Sequence, residues 1–184
     1  SVTFNYSTQF NLNTSFSGED LLYTRINAGN SKSQPFGSKT YGTYLASSFT
    51  GTADVVTIDK LWYQFPVGDS FQFWAGPKVE NYYMLASSPS IYKPVLKQFA
   101  LGGNSGAYAA STNGGFGVAW TQPVDDFSQP RFAVSSNYVA IGANSAADGS
   151  GLLTDNQSKW LTKFEYGSPR WQVSLAVAQE YCDE

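Results

Sequence analysis

Histidine is absent from this chain of 184 residues, and with it the commonest general base and metal ligand. The segment "GGNSG" (102–106) has the superficial form of a nucleophile loop, but no base is available to serve its serine. The adjacent carboxylates Asp125 and Asp126 fall in "QPVDD", a turn in which aspartate is favoured for local hydrogen bonding. "DGSG" (148–151) lacks the acidic ligand series of a calcium loop. A single cysteine, Cys182, excludes an internal disulfide and a cysteine-built zinc site. No catalytic residue, metal or other cofactor is expected. The charges of interest are placed differently. Arg25, Lys60 and Lys163 each interrupt a run of alternating polar and apolar residues, and Glu80, Lys93 and Lys97 share one long segment rich in tyrosine and small residues. What they can do depends on the elements that carry them.

Those elements are strands. In "VTFNYSTQFNLNTSF" (2–16), Val2, Phe4, Tyr6, Phe10, Leu12 and Phe16 stand at even positions, and the odd positions hold only Thr, Asn, Ser and Gln. Successive side chains of a strand point to opposite faces, so this stretch has one greasy and one polar side. "LLYTRINA" (21–28) sets Leu22, Thr24, Ile26 and Ala28 against Tyr23, Arg25 and Asn27. "IDKLWYQF" (58–65) sets Leu61, Tyr63 and Phe65 against Lys60, Trp62 and Gln64. "FQFWAG" (71–76), "GFGVAWTQ" (115–122), "KWLTKFEYG" (159–167) and "WQVSLAVAQ" (171–179) repeat the pattern, and "TYLASSF" (43–49) is a weaker candidate. "RFAVSSNYVAI" (131–141) changes its apolar parity midway, which suggests a bulge. With no helical period in any segment, the fold expected is all-β, antiparallel, with about nine strands.

Connection lengths also carry information. Tight turns are expected at 16–20, 66–70, 122–126 and 167–170, each containing Gly or Pro. Longer connections span 30–42, about 79–114 and about 143–158. Short and long links mostly alternate, as in outer-membrane barrels; the middling link at 50–57 breaks the alternation.

Periodicity leaves two solvents open for the apolar face. In a soluble β-sandwich it turns into a core, and exposed Trp and Tyr would then suit carbohydrate binding. In a transmembrane β-barrel it meets lipid, and the polar face lines a wet interior. Composition leans toward the barrel: 14% of residues are charged, against about 25% in soluble domains, and the polar faces are mostly neutral amides and hydroxyls. Aromatics gather near strand ends, as in interfacial girdles. The formal net charge of -3 and pI near 4.9 argue against a nucleic-acid partner. No apolar run is long enough for a transmembrane helix, and no signal peptide opens the chain, so an envelope protein would be seen in mature or trimmed form.

Two spaced segments add a resemblance. "FNLNTSFSGEDLLYTRINAGN" (10–30) and "IDKLWYQFPVGDSFQFWAGP" (58–77) resemble the porins of cyanobacterial outer membranes, within the OprB-like carbohydrate-selective porin group, some of whose members are described as ion or iron channels. The resemblance implies a passive outer-membrane diffusion channel for small hydrophilic solutes and inorganic ions, not an enzyme. It also implies a homotrimer of roughly 16-stranded barrels in outer-membrane lipid. Residues 1–184 would then form part of a porin barrel, without the wall-binding domain common in the family. In general porins the long loop after the fifth strand folds into the lumen, so Glu80, Lys93 and Lys97 are expected at a constriction. Parity places Arg25, Lys60 and Lys163 on the lumen side, with Asp59 and Glu165 as acids through which they could anchor loops.

Overall fold

The computed structural model describes residues 4–30, 51–88, 95–96, 99–101, 106–108, 112–147, 150–153 and 157–181. Eight strands are found among them: β1 (Ser7–Thr14), β2 (Leu21–Gly29), β3 (Thr57–Val67), β4 (Phe71–Val79), β5 (Asn113–Thr121), β6 (Arg131–Ala140), β7 (Ser158–Ser168) and β8 (Trp171–Tyr181). The candidate at 43–49 lies outside the described residues. All eight form one antiparallel sheet in chain order, each strand paired with the next. Such a meander suits a chain whose connections alternate in length. Residues 15–20, 68–70, 122–130 and 169–170 turn at one end; 30–56, 80–112 and 141–157 connect at the other. Gly18 and Gly68, at φ 90° and 60°, supply left-handed backbone in two of the tight turns. Among the described residues the sheet is open, with β1 and β8 at its edges.

The register joins side chains of like polarity. Phe10 faces Ile26 and Leu12 faces Thr24; Phe73 faces Val118, and Phe164 faces Leu175. This face is not a core. Phe10 is 61% exposed, Leu175 64% and Val173 69%, and no second sheet covers them among the described residues. A β-sandwich would bury these side chains, and among the described residues they stay exposed. The opposite face carries Arg25 beside Lys60, Asn137 beside Leu161 and Ser135 beside Lys163, and this polar face is the one that is covered.

The bulge expected in 131–141 is absent. β6 pairs with both neighbours without a register shift. Its parity changes because Tyr138 points to the apolar face, whereas Val139, fully buried, packs with Trp62, Trp74, Val79, Met84 and Ala119 on the polar side. The register shifts instead between Arg25 and Ile26 against β3, between Leu61 and Tyr63 against β4, and between Gly76 and Val79 against β5.

The tight turn from β1 to β2 is built around Asp20. Its Oδ2 accepts from the Tyr63 hydroxyl at 2.6 Å; its Oδ1 accepts from the Ser15 and Ser17 hydroxyls and the Phe16 and Ser17 amides at 2.7–2.9 Å. The Tyr63 bond first, then those from Ser17 and Ser15, hold its carboxyl far below the usual carboxylate range. A depressed folded-state value stabilises the fold above the unfolded-state pKa of about 3.9 and loses that effect as pH falls through the folded value. Asp20→Asn is therefore expected to lower the thermal midpoint at pH 7, by an amount that shrinks on acidification. An equal loss at pH 7 and pH 3 in detergent would show that the carboxylate charge is irrelevant.

Candidate functional site

After β4 the chain does not leave the sheet. Val79, fully buried, turns it inward, and one turn of 3-10 helix follows at Asn81–Tyr83. The amides of Tyr83 and Met84 close this turn on the carbonyls of Glu80 and Asn81 at 3.0 and 3.1 Å. Residues 80–88 then run across the polar face as a strap, held by side chains that the strands project there. Asn81 Nδ2 donates to Asn137 Oδ1 at 2.9 Å and to the Lys159 carbonyl at 3.1 Å. Asn137 Nδ2 donates to the Met84 carbonyl at 2.9 Å, and the Ala86 amide donates to Ser135 Oγ at 2.7 Å. At the far end, Lys163 Nζ reaches the Ser87 carbonyl at 3.0 Å, and Gln172 of β8 donates to Ser87 Oγ.

Charges on this face occur in pairs. Lys60, 2% exposed, contacts Glu80, and Thr112 bonds to both. Arg25 pairs with Asp59, Lys163 with Glu165 and Lys159 with Glu180. A buried cation is tolerated only with a partner and filled hydrogen-bond sites, so these pairs make a polar face compatible with burial. They also cancel much of the positive field that the basic residues alone would set up. Burial opposes ionisation of Glu80. Attraction to Lys60 and hydrogen bonds from Lys60, Thr112 and Tyr82 outweigh it and hold the carboxyl below its ordinary range.

Between these anchors lies an apolar seat. Met84 is fully buried among Trp62, Trp74, Val79, Ala119 and Val139, and Trp74 donates its indole N–H to Gln64 at 2.9 Å. Tyr23 stacks on Trp62 with ring centroids 4.9 Å apart, and Tyr83 sits 6.0 Å from the same indole. Gly117 leaves room for the strap: a Cβ there would lie 2.7 Å from Asn137 Cβ and 3.0 Å from Met84 Cβ. Gly117→Ala is expected to cost about 1–3 kcal/mol by overpacking, read as a lower urea midpoint. An unchanged midpoint would mean that Met84 is not seated there.

Of the residues singled out from sequence, Arg25, Lys60 and Glu80 come together at one end of the strap and Lys163 lies at the other, all on the polar face, and Arg25 and Lys163 use the acids anticipated for them. Lys93 and Lys97 lie outside the described residues. Asn81, Asn137, Ser135 and Ser87, which hold the strap, were not anticipated. Strand parity places Asn137 and Ser135 on the right face, but nothing local marks their partners 49–56 positions away.

A family model described as carbohydrate-selective porin, OprB family, matches residues 4–181. No curated protein and no solved structure matches the chain. A greasy strand face left open, a polar face threaded by an inward strap and a family match over nearly the whole length agree: the chain belongs to the OprB family of carbohydrate-selective porins of the outer membrane.

Proposed function

We propose that this chain walls a passive outer-membrane channel that passes small hydrophilic solutes, carbohydrates included, and inorganic ions. The observation that carries the reading is the opposition of two faces in one sheet. The apolar face is exposed, as a lipid-facing surface requires, and the polar face holds a strap that would narrow a lumen. In this reading Arg25, partly exposed, borders the aqueous path, Lys60, Glu80 and Lys163 fix the strap that narrows it, and Lys93 and Lys97 complete its set of charges. Reconstitution in planar lipid should give discrete conductance steps; membranes without steps at any protein concentration would remove the channel. Lys93→Glu and Lys97→Glu should shift the reversal potential in a salt gradient, and no shift would take those two lysines out of the path. Assembly as a homotrimer belongs to the same reading. Crosslinking of detergent-extracted protein should stop at three chains, and a product that stops at one would rule the trimer out.

A further inference from the structure

The apolar face is not evenly filled. Across the middle of the sheet, from β4 to β7, it carries a furrow of about 430 Å³, within the range of roughly 300–1,000 Å³ of small-molecule sites. The register explains it. Phe65 faces Phe73, which faces Val118, which faces Ser136, so along one cross-strand row two rings give way to smaller side chains. Phe65 and Phe73 stack with centroids 5.7 Å apart and close one end. Phe116, Tyr138 and Trp160, each ring 5.7 Å from the next, form a bank along the side toward the long connections. The polar atoms there already engage one another: the Trp160 indole donates to Ser136 Oγ at 2.8 Å, and the Ser136 and Thr162 hydroxyls lie 3.1 Å apart. None of the residues lining the furrow is charged.

We propose that this furrow seats one acyl chain of a membrane phospholipid against the wall. The proposal rests on the lipid-facing reading above and names a fixed site within that face. Apolar side chains gain nothing by hiding from a solvent as greasy as themselves, so association within a bilayer depends on packing. A flat wall touches an acyl chain on one side. A furrow with an aromatic bank touches it on several, and each contact adds dispersion energy. The place suits a tail and not a headgroup: Val118 and Ser136 stand mid-strand, at hydrocarbon depth, with no cation in the lining to hold a phosphate. A segment of a partner protein would bring backbone amides and carbonyls that need partners away from water, and the hydroxyls of the furrow are already engaged. From β4 to β7 the furrow crosses three interstrand spacings, about 14 Å. Because transmembrane strands tilt by about 35–45°, its long axis is inclined to the bilayer plane, as a descending acyl chain requires.

The test is native mass spectrometry of the full chain, extracted in mild detergent from phosphatidylcholine vesicles. One phospholipid per chain should survive detergent washing. Val118→Phe and Ala75→Phe each put a ring into the furrow, and each should cut the lipid-bound fraction about tenfold or more. Val173→Phe makes the same enlargement on β8 of the same face, away from the furrow. It should keep the wild-type fraction and so separates a filled seat from altered extraction. Retention should be equal from phosphatidylcholine and phosphatidylglycerol; retention confined to one of them would mean that a headgroup is recognised and would overturn the seat. A wild type that enters vesicles but keeps no lipid, or ring variants that keep it in full, would overturn it too. Loss of crosslinking between chains in Val118→Phe, with no lipid on the wild type, would give the furrow to a second copy instead. A chain that never enters the vesicles would overturn the lipid-facing reading itself.

Discussion

Glu80→Ala is expected to destabilise the protein by about 3–5 kcal/mol, because it strips a buried ammonium group of its counter-charge. Lys60 is 2% exposed; Glu80 and Thr112 are its hydrogen-bond partners. Adding Lys60→Met to Glu80→Ala should restore most of the loss, since an apolar side chain of similar length leaves no buried charge unpaired and can pack on the Tyr83 ring, whose centroid lies 5.6 Å from Lys60 Nζ. Urea unfolding of the wild type and the two variants in lipid vesicles measures both effects. A single variant within about 0.5 kcal/mol of wild type would mean that Lys60 finds water and that the strap does not depend on this contact. Limited proteolysis adds a local readout: if the pair fastens the strap, Glu80→Ala should expose new cleavage sites within residues 80–88 while the strands stay resistant.

Leu175→Arg should cost about 2–4 kcal/mol in a bilayer, the penalty for a cation on the lipid face near midplane. Leu175 lies in the middle of β8, 64% exposed and opposite Phe164. One residue earlier, Ser174 points to the polar face opposite Glu165, and Ser174→Arg should be close to neutral. The contrast tests which solvent meets which face. In water an arginine at either exposed position would be equally harmless, so equal costs in vesicles would overturn the lipid-facing assignment.

How far the fold was legible in sequence follows from the range of the interactions. Two-residue alternation is a local property, and it assigned Phe10, Leu61, Phe73 and Leu175 to one face and Arg25, Lys60 and Lys163 to the other before any pairing was known. Tight turns are also local: Gly18 and Gly68 mark two of them by backbone freedom. The strap is not local. Ser87 meets Lys163 across 76 positions and Gln172 across 85, and no periodicity encodes such distances. Val139 shows the cost. Read alone, an apolar residue on the polar parity looks like a bulge; it is instead the floor beneath Met84. Trp62 and Trp74 also fell on the polar face by parity, but their packing against the strap becomes visible only once the connector is in place.

Several of the strap's moorings use its own backbone: the Met84 carbonyl, the Ala86 amide and the Ser87 carbonyl. Side-chain replacements at these three positions leave those bonds chemically intact, whereas Asn137, Ser135 and Lys163 on the wall have no such freedom. Ala86 and Ser87 can therefore change side chain while these backbone bonds persist, whereas Glu80, Asn81 and Met84 hold the strap through their side chains and cannot.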